Sequence, residues 1–210
     1  MRRLVGKRLP RFTREQSQLV IGSLDFLGVN YYTSNFAANA HFHNGPNNSY
    51  TTDNQVNLTT ERNGLAIGEA VLIRVLSHFT NSFYDVQEGV PLYVYPQGLR
   101  DVLVYTKNKY GNPTIYITEN GFGETNITKV EGGVKDLQRA RFYQAHLRAV
   151  KEAIGNGVNV KGFFPWTFMD DWEWNSGFTE RFGLVFVDFK NGLKRYPKSS
   201  ALWFKKFLQS

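Results

Sequence analysis

The sequence predicts an α/β fold organised around a parallel sheet. Three apolar stretches rich in β-branched and aromatic residues occur along the chain, with helical patterns between them. None of the three alternates cleanly between apolar and polar residues, which is the pattern of strands covered on both faces. A chain of 210 residues, 41% hydrophobic and 20% charged, is long and apolar enough to build one domain with its own core.

The first strand is predicted over residues 24–33 (LDFLGVNYYT). Residues 35–64 are polar, rich in Asn and Thr, and read as a long loop. Pro96 suits the first position of a helix; Leu99, Val102, Leu103 and Tyr110 follow at helical spacing, and Gly111 ends the pattern. The second strand covers residues 114–118 (TIYIT), after the turn pair Asn112-Pro113. A longer helix runs from Asp136, read as an N-cap, to Ile154, with Leu137, Ala140, Leu147, Val150 and Ile154 as its apolar stripe and Gly155 and Gly157 closing it. The third strand covers residues 160–168 (VKGFFPWTF), and an amphipathic segment at 199–208 ends the chain. This alternation implies right-handed βαβ units and does not by itself separate a barrel from an open sheet.

Composition narrows the functions. The formal net charge is +7, but the densest basic run, Arg2, Arg3, Lys7, Arg8, Arg11 and Arg14, accompanies no nucleic-acid module, so no nucleic-acid partner is expected. Cysteine is absent, which rules out disulfides and thiolate metal sites. His41 and His43 lie in a polar stretch without an acidic or histidine partner at ligand spacing; they read as loop residues, and no metal is expected. No apolar run approaches the ~20 residues that span a bilayer. No apolar core follows the first arginines, so they do not read as a signal peptide, and the compartment stays open. Glycosylation triplets begin at Asn47, Asn57 and Asn126.

Reactive groups in parallel α/β folds gather at the C-terminal ends of strands. The second strand ends Ile117-Thr118-Glu119-Asn120-Gly121, delivering a carboxylate and turning at once. The third runs into residues 166–174 (WTFMDDWEW), three tryptophans and three acids in nine residues. A sugar pocket that stacks rings and binds hydroxyls would accept both residue types, and so would a buried polar network. The first strand ends Asn30-Tyr31-Tyr32-Thr33, with Asn30 and Tyr32 on one face, where a tyrosine hydroxyl can either orient a neighbouring carboxylate or simply pack. The aromatic content of 15% suits a pocket of this kind as well as a large core.

At these residues the chain resembles glycoside hydrolase family 1. Residues 117–121 (ITENG) are similar to its nucleophile signature, 25–32 (DFLGVNYY) to its sixth barrel strand, and 166–174 with 181–184 (RFGL) and Val187-Asp188 to its eighth strand and following loop. Residues 195–201 (RYPKSSA) with Trp203-Phe204 resemble the plant-type tail, and the order and spacing of all the blocks agree. The resemblance covers nearly the whole chain, 1–210, as one partial catalytic domain. It implies strands six to eight of a (β/α)₈ barrel and a retaining β-glucosidase. Such an enzyme uses two carboxylates roughly 5 Å apart, one as nucleophile and one as acid/base. Carried onto this sequence, Glu119 is the nucleophile and Tyr32 orients it. Asn30 lies nearby, Glu173 and Trp174 hold the outer hydroxyls of the sugar, Trp166 stacks beneath it, and Phe182 lines the pocket. A cis peptide is expected after Trp166. A β-glucoside is the implied small-molecule substrate, with no cofactor, and oligomeric state is left open.

The sequence departs from the family in three ways. The Thr-Phe-Asn-Glu-Pro block that carries the acid/base is absent, so the chain alone is expected to be inactive or nearly so; a missing proton donor costs roughly 10²–10⁴ in rate. Three strands cannot close an eight-stranded barrel, which exposes two sheet edges. Residues 71–87 (VLIRVLSHFTNSFYDVQ) have no family counterpart, and an added helix or a retained intron accounts for them equally well. Pro165, Thr167, Phe168 and Trp172 replace residues more usual in the motif, which leaves aglycone preference open. The alternatives to a hydrolase are a non-catalytic carbohydrate-binding remnant and a truncated product without a biochemical role.

Overall fold

A computed structural model describes residues 6–40, 54–71, 92–125 and 127–209. His41, His43, Asn47, Asn126 and all of the 71–87 stretch beyond Val71 lie outside the described residues. In chain order the elements of the first half are α1 (Arg14–Val20), β1 (Leu27–Tyr31), β2 (Phe36–Asn39), β3 (Val56–Thr59), β4 (Glu61–Arg62), β5 (Leu65–Ala66), β6 (Glu69–Val71) and β7 (Leu92–Val94). There follow α2 (Pro96–Tyr110), β8 (Ile115–Gly121), β9 (Glu124–Thr125), α3 (Val130–Gly133), α4 (Leu137–Gly155), β10 (Val160–Trp166), β11 (Glu180–Arg181), β12 (Val185–Asp188), β13 (Lys194–Pro197) and α5 (Ser199–Phe207).

The chain forms two compact units, Met1–Asp25 with Asn35–Ile67, and Phe26–Ser34 with Gly68–Ser210. In the smaller unit, Thr13 caps α1 through a reciprocal capping box with Gln16. The expected loop over 35–64 is corrected there: β2 pairs antiparallel with β3, and β4 with β5. Asn63 and Gly64 both take positive φ, 53° and 75°, as a two-residue hairpin turn requires. Asn and Thr stand in these strands because most of their positions face water, so polarity did not distinguish strand from loop.

The larger unit is built on a three-stranded parallel sheet in the order β1-β8-β10. Helix α2 starts at Pro96, whose missing N–H is no loss at the first position, and stops at Gly111, left-handed at φ 72° with its N–H donating to the Lys107 carbonyl. Leu99 and Leu103 are fully buried and pack with Ile115, Ile117, Val150 and Ala153 into one cluster. Each such side chain contributes about 1.5–3 kcal/mol relative to exposure. Val102 and Tyr110 share the helical spacing but face outward.

The predicted stripe of α4 is rotated in the fold. Leu137 and Ile154 are exposed, while Arg139, Phe142, Tyr143, His146, Ala149, Val150 and Ala153 are buried. Two polar residues on the inner face, Arg139 and His146, displaced the hydropathy pattern. Arg139 is fully paired, with Asp136 and, at 2.9 Å, Glu124, while His146 is held through Nδ1, 2.9 Å from the Phe142 carbonyl oxygen, its Nε2 having no hydrogen-bond partner among the described residues. Asp136 precedes α4 but makes no capping bond. Its carboxylate accepts instead from Arg139 and from the backbone N–H (2.8 Å) and hydroxyl of Ser200, joining α4 to α5.

Coverage of the central strands on both faces is also corrected. Tyr31, Ile115 and Ile117 are buried beneath the helices, but Gly28, Asn30, Thr118 and Phe164 are exposed. Among the described residues the helices cover one face of the sheet and leave the other open. No helix of the described residues is long and apolar enough to cross a membrane.

Candidate active site

Three parallel strands bring their C-terminal ends together, and the register between them is irregular where the carboxylate stands. Val29 lies opposite Ile117, yet Asn30 lies opposite Glu119, so Thr118 is an extra residue on β8; the ladder with β10 shifts at the same level. Such a bulge re-aims the side chains that follow it. Thr118 donates through its hydroxyl to Asn30 Oδ1 at 2.7 Å on the open face. Glu119, half-buried, accepts from the Tyr32 hydroxyl at 2.6 Å through Oε2. Burial pushes the Tyr32 phenol well above its usual range, and the hydrogen bond to Glu119 and the charges of Glu119 and Glu173 push it further. Tyr32 therefore keeps its proton and acts only as a donor to the carboxylate.

The turn after Glu119 secures this geometry. Asn120 is fully buried and donates through Nδ2 to the Tyr31 carbonyl at 2.7 Å, tying β8 to β1. Gly121 must be glycine, because a Cβ there would lie 2.3 Å from the Trp166 carbonyl oxygen and 3.1 Å from the Phe182 ring. Phe182 is buried and meets Tyr32 edge-on, centroids 6.1 Å apart.

Trp166 ends β10 half-buried, and the Trp166–Thr167 peptide is cis. Its indole Nε1 donates to Glu173 Oε2 at 3.1 Å, and its carbonyl accepts from the Tyr143 hydroxyl at 3.1 Å. Burial raises the Glu173 carboxyl above its ordinary range; the Trp166 bond opposes this, and the charges of Asp171 and Glu119 add to it. The structure thus brings Glu119, Tyr32 and Phe182 into one group and Trp166 and Glu173 into a second, with Glu119 and Glu173 close enough to feel each other's charge. Asn30 is exposed on the open face, and Trp174 is 72% exposed at the tip of a short turn.

Of the three acids in 166–174, Asp170 belongs to a different structure. It is buried and accepts from Arg181 Nη1 (2.6 Å), Lys198 Nζ (2.8 Å), and the backbone N–H of Gly183 (3.0 Å) and Val187 (3.3 Å). Burial holds Lys198 down to about 8, with the nearby Arg139 charge adding and Asp170 opposing. The motif therefore divides between a buried polar network around Asp170 and the Trp166–Glu173 pair at the strand end. The roles of Asn120, Asp170 and Asp136 were not legible locally, since their partners Tyr31, Lys198 and Ser200 lie 89, 28 and 64 positions away.

The carboxylate, its tyrosine donor and the tryptophan–glutamate pair stand at the C-terminal ends of parallel strands, where α/β folds gather their functional residues. The chain belongs to glycosyl hydrolase family 1, whose model matches residues 1–210. It is 54% identical over 207 residues to furcatin hydrolase of Viburnum furcatum, covering 98% of this chain and 35% of that protein. It is 52% identical over 211 residues to beta-glucosidase 12 of Oryza sativa subsp. indica, covering 99% of this chain and 38% of that one. Among solved structures it matches a rice Os3BGlu6 β-glucosidase with a TM-score of 0.81 at 37% identity, over 97% of this chain and 40% of that chain. It matches β-glucosidase 2 of the fungus Trichoderma reesei with a TM-score of 0.78 at 36% identity, over 100% of this chain and 42% of that chain. The chain thus spans little more than a third of the length of these curated relatives.

Proposed function

We propose that the chain supplies strands six to eight of a (β/α)₈ barrel and the nucleophile half of a retaining β-glucosidase site, with a β-glucoside as substrate. Glu119 attacks the anomeric carbon, and Tyr32 orients it and withdraws charge from the oxygen it does not use. Trp166 stacks beneath the glucosyl ring, Glu173 and Trp174 hold its outer hydroxyls, and Asn30 and Phe182 line the site. The observation that carries this reading is the 2.6 Å bond from the Tyr32 hydroxyl to Glu119 at the mouth of a parallel sheet. One relative of known structure is described as a covalent complex with Glc, the species that a carboxylate nucleophile forms in a retaining mechanism.

The second carboxylate, which would protonate the departing oxygen, has no counterpart in the sequence motifs of this chain. Unactivated glucosides are therefore expected to turn over slowly or not at all. An activated substrate separates the two halves of the mechanism. Dinitrophenyl 2-deoxy-2-fluoro-β-glucoside has a leaving group that departs without a proton, so the purified chain is expected to gain one fluoroglucosyl group on Glu119, read by intact mass and peptide mapping. Glu119→Gln is expected to gain none. Labelling elsewhere, or none in the parent chain, overturns the nucleophile assignment.

A second reading, a sugar-binding domain without catalysis, draws on the Trp166–Glu173 pair. It is selected if glucose raises the thermal midpoint of both the parent and Glu119→Gln while neither is labelled.

A further inference from the structure

One buried acid near the site has no place in the mechanism above. Glu180 is 5% exposed, and its Oε1 has no hydrogen-bond partner among the described residues. It stands between two segments that matter. On one side is Gly123, two residues past the end of the nucleophile signature: a Cβ there would lie 2.8 Å from Glu180 Oε1 and equally close to the Phe182 ring, so the glycine leaves the space that the carboxyl occupies. On the other is the turn carrying Glu173, closed by Glu173 N–H to the Gly177 carbonyl (2.8 Å) and Ser176 N–H to the Glu173 carbonyl (2.8 Å). The Ser176 side chain lies close enough to the Glu180 carboxyl to favour its charged form. Glu180 also pairs through β11 with Thr125 of β9.

We propose that Glu180 is a positioning residue that, as a neutral carboxylic acid, holds the turn bearing Glu173 against the glycine segment after Glu119, and that its ionisation releases that turn.

The charges around Glu180 agree. Glu173 faces it from the turn and repels a carboxylate there. On β9, Glu124 is a further acid, taken up by Arg139 at 2.9 Å. Arg181, its neighbour on β11, is turned toward Asp170 and the Phe186 ring. Among the described residues no cation forms an ion pair with Glu180. A buried carboxylate with an unpartnered oxygen and an acid opposite it is costly, whereas the protonated form carries no charge to desolvate. Burial accordingly pushes the Glu180 carboxyl up from 4.5 to about 7; Glu173 adds to the rise and Ser176 opposes it.

The direction of the pH effect follows by linkage. Packed, Glu180 titrates near 7, and in the opened turn it titrates near 4.5. The closed turn is fully favoured below 4.5, loses ground through the interval up to 7, and changes no further above it. That the turn holds a sugar rests on the reading given under Proposed function; its closure by Glu180 does not.

The test is backbone hydrogen exchange over residues 173–181 of the 210-residue chain between pH 4.5 and 8, corrected for intrinsic rates. In the parent, protection is expected to fall by as much as about tenfold per pH unit up to 7 and then level off. Glu180→Gln, uncharged and similar in shape, is expected to hold its protection across the range. Glu173→Gln, which removes the facing charge, is expected to shift the levelling point to lower pH. Equal pH dependence in the parent and Glu180→Gln, or a flat parent profile, overturns the proposal. Glucose titration by tryptophan fluorescence separates the two readings. Weakening of glucose binding with rising pH in the parent, but not in Glu180→Gln, supports both. An exchange response without glucose binding upholds the role of Glu180 in closing the turn and overturns the sugar-holding role of Glu173.

Discussion

Asp170 and Glu119 are both acids at the ends of β-strands or just beyond them, and the fold treats them in opposite ways. Asp170 is buried and accepts from two cations and two backbone N–H groups. Glu119 is half-buried and, among the described residues, accepts a single bond, from Tyr32. A carboxylate has about four lone-pair sites. Asp170 spends them all on holding the segment after β10 to β12 and to the start of α5, whereas Glu119 keeps most of its capacity open at the strand mouth. The difference separates a carboxylate that builds the fold from one available for chemistry, and neither its residue type nor its neighbours in sequence announces which is which.

The comparison can be broken in three places, the largest effect first. Asp170→Asn leaves Lys198 and Arg181 buried without their counter-charge, and a loss of about 3–5 kcal/mol in unfolding free energy is expected from urea denaturation. A loss below 1 kcal/mol would mean that the cluster is not a structural keystone. Tyr32→Phe removes one hydrogen bond to a partly solvated carboxylate, and a loss of about 1 kcal/mol is expected by the same measurement. Slower fluoroglucosyl labelling of Glu119 should accompany it, since the phenol orients the nucleophile. Glu119→Gln keeps the size of the side chain, and its stability is expected to stay within about 0.5 kcal/mol of the parent while labelling is lost. A stability loss as large as that of Asp170→Asn would place Glu119 with the structural acids instead.

The contrast also shows how much could be read beforehand. The strand-helix order, the caps at Pro96 and Gly111, and the block around Glu119 were legible because each depends on a few consecutive residues. The stripe of α4 was misread because two residues polar by type are buried, Arg139 by partners on distant segments and His146 against Phe142 of its own helix. Residues 35–64 were misread because strands with water on both sides carry no apolar signature. Within 166–174, composition allowed a pocket or a polar network; the fold puts Asp170 into a buried network with Lys198 and pairs Glu173 with Trp166 at the strand end.

By itself, then, the sequence determined the class of fold, the family, and the identity of the residues at the strand ends. Those properties reside in local periodicity, turn chemistry and short motifs, which a chain carries before it folds. Only the tertiary structure decided which acid is saturated and which is left open, that one face of the sheet lies bare among the described residues, and that Glu180 is buried against Gly123. Charge state and hydrogen-bond supply depend on burial and on partners tens of residues away, and folding alone brings those together.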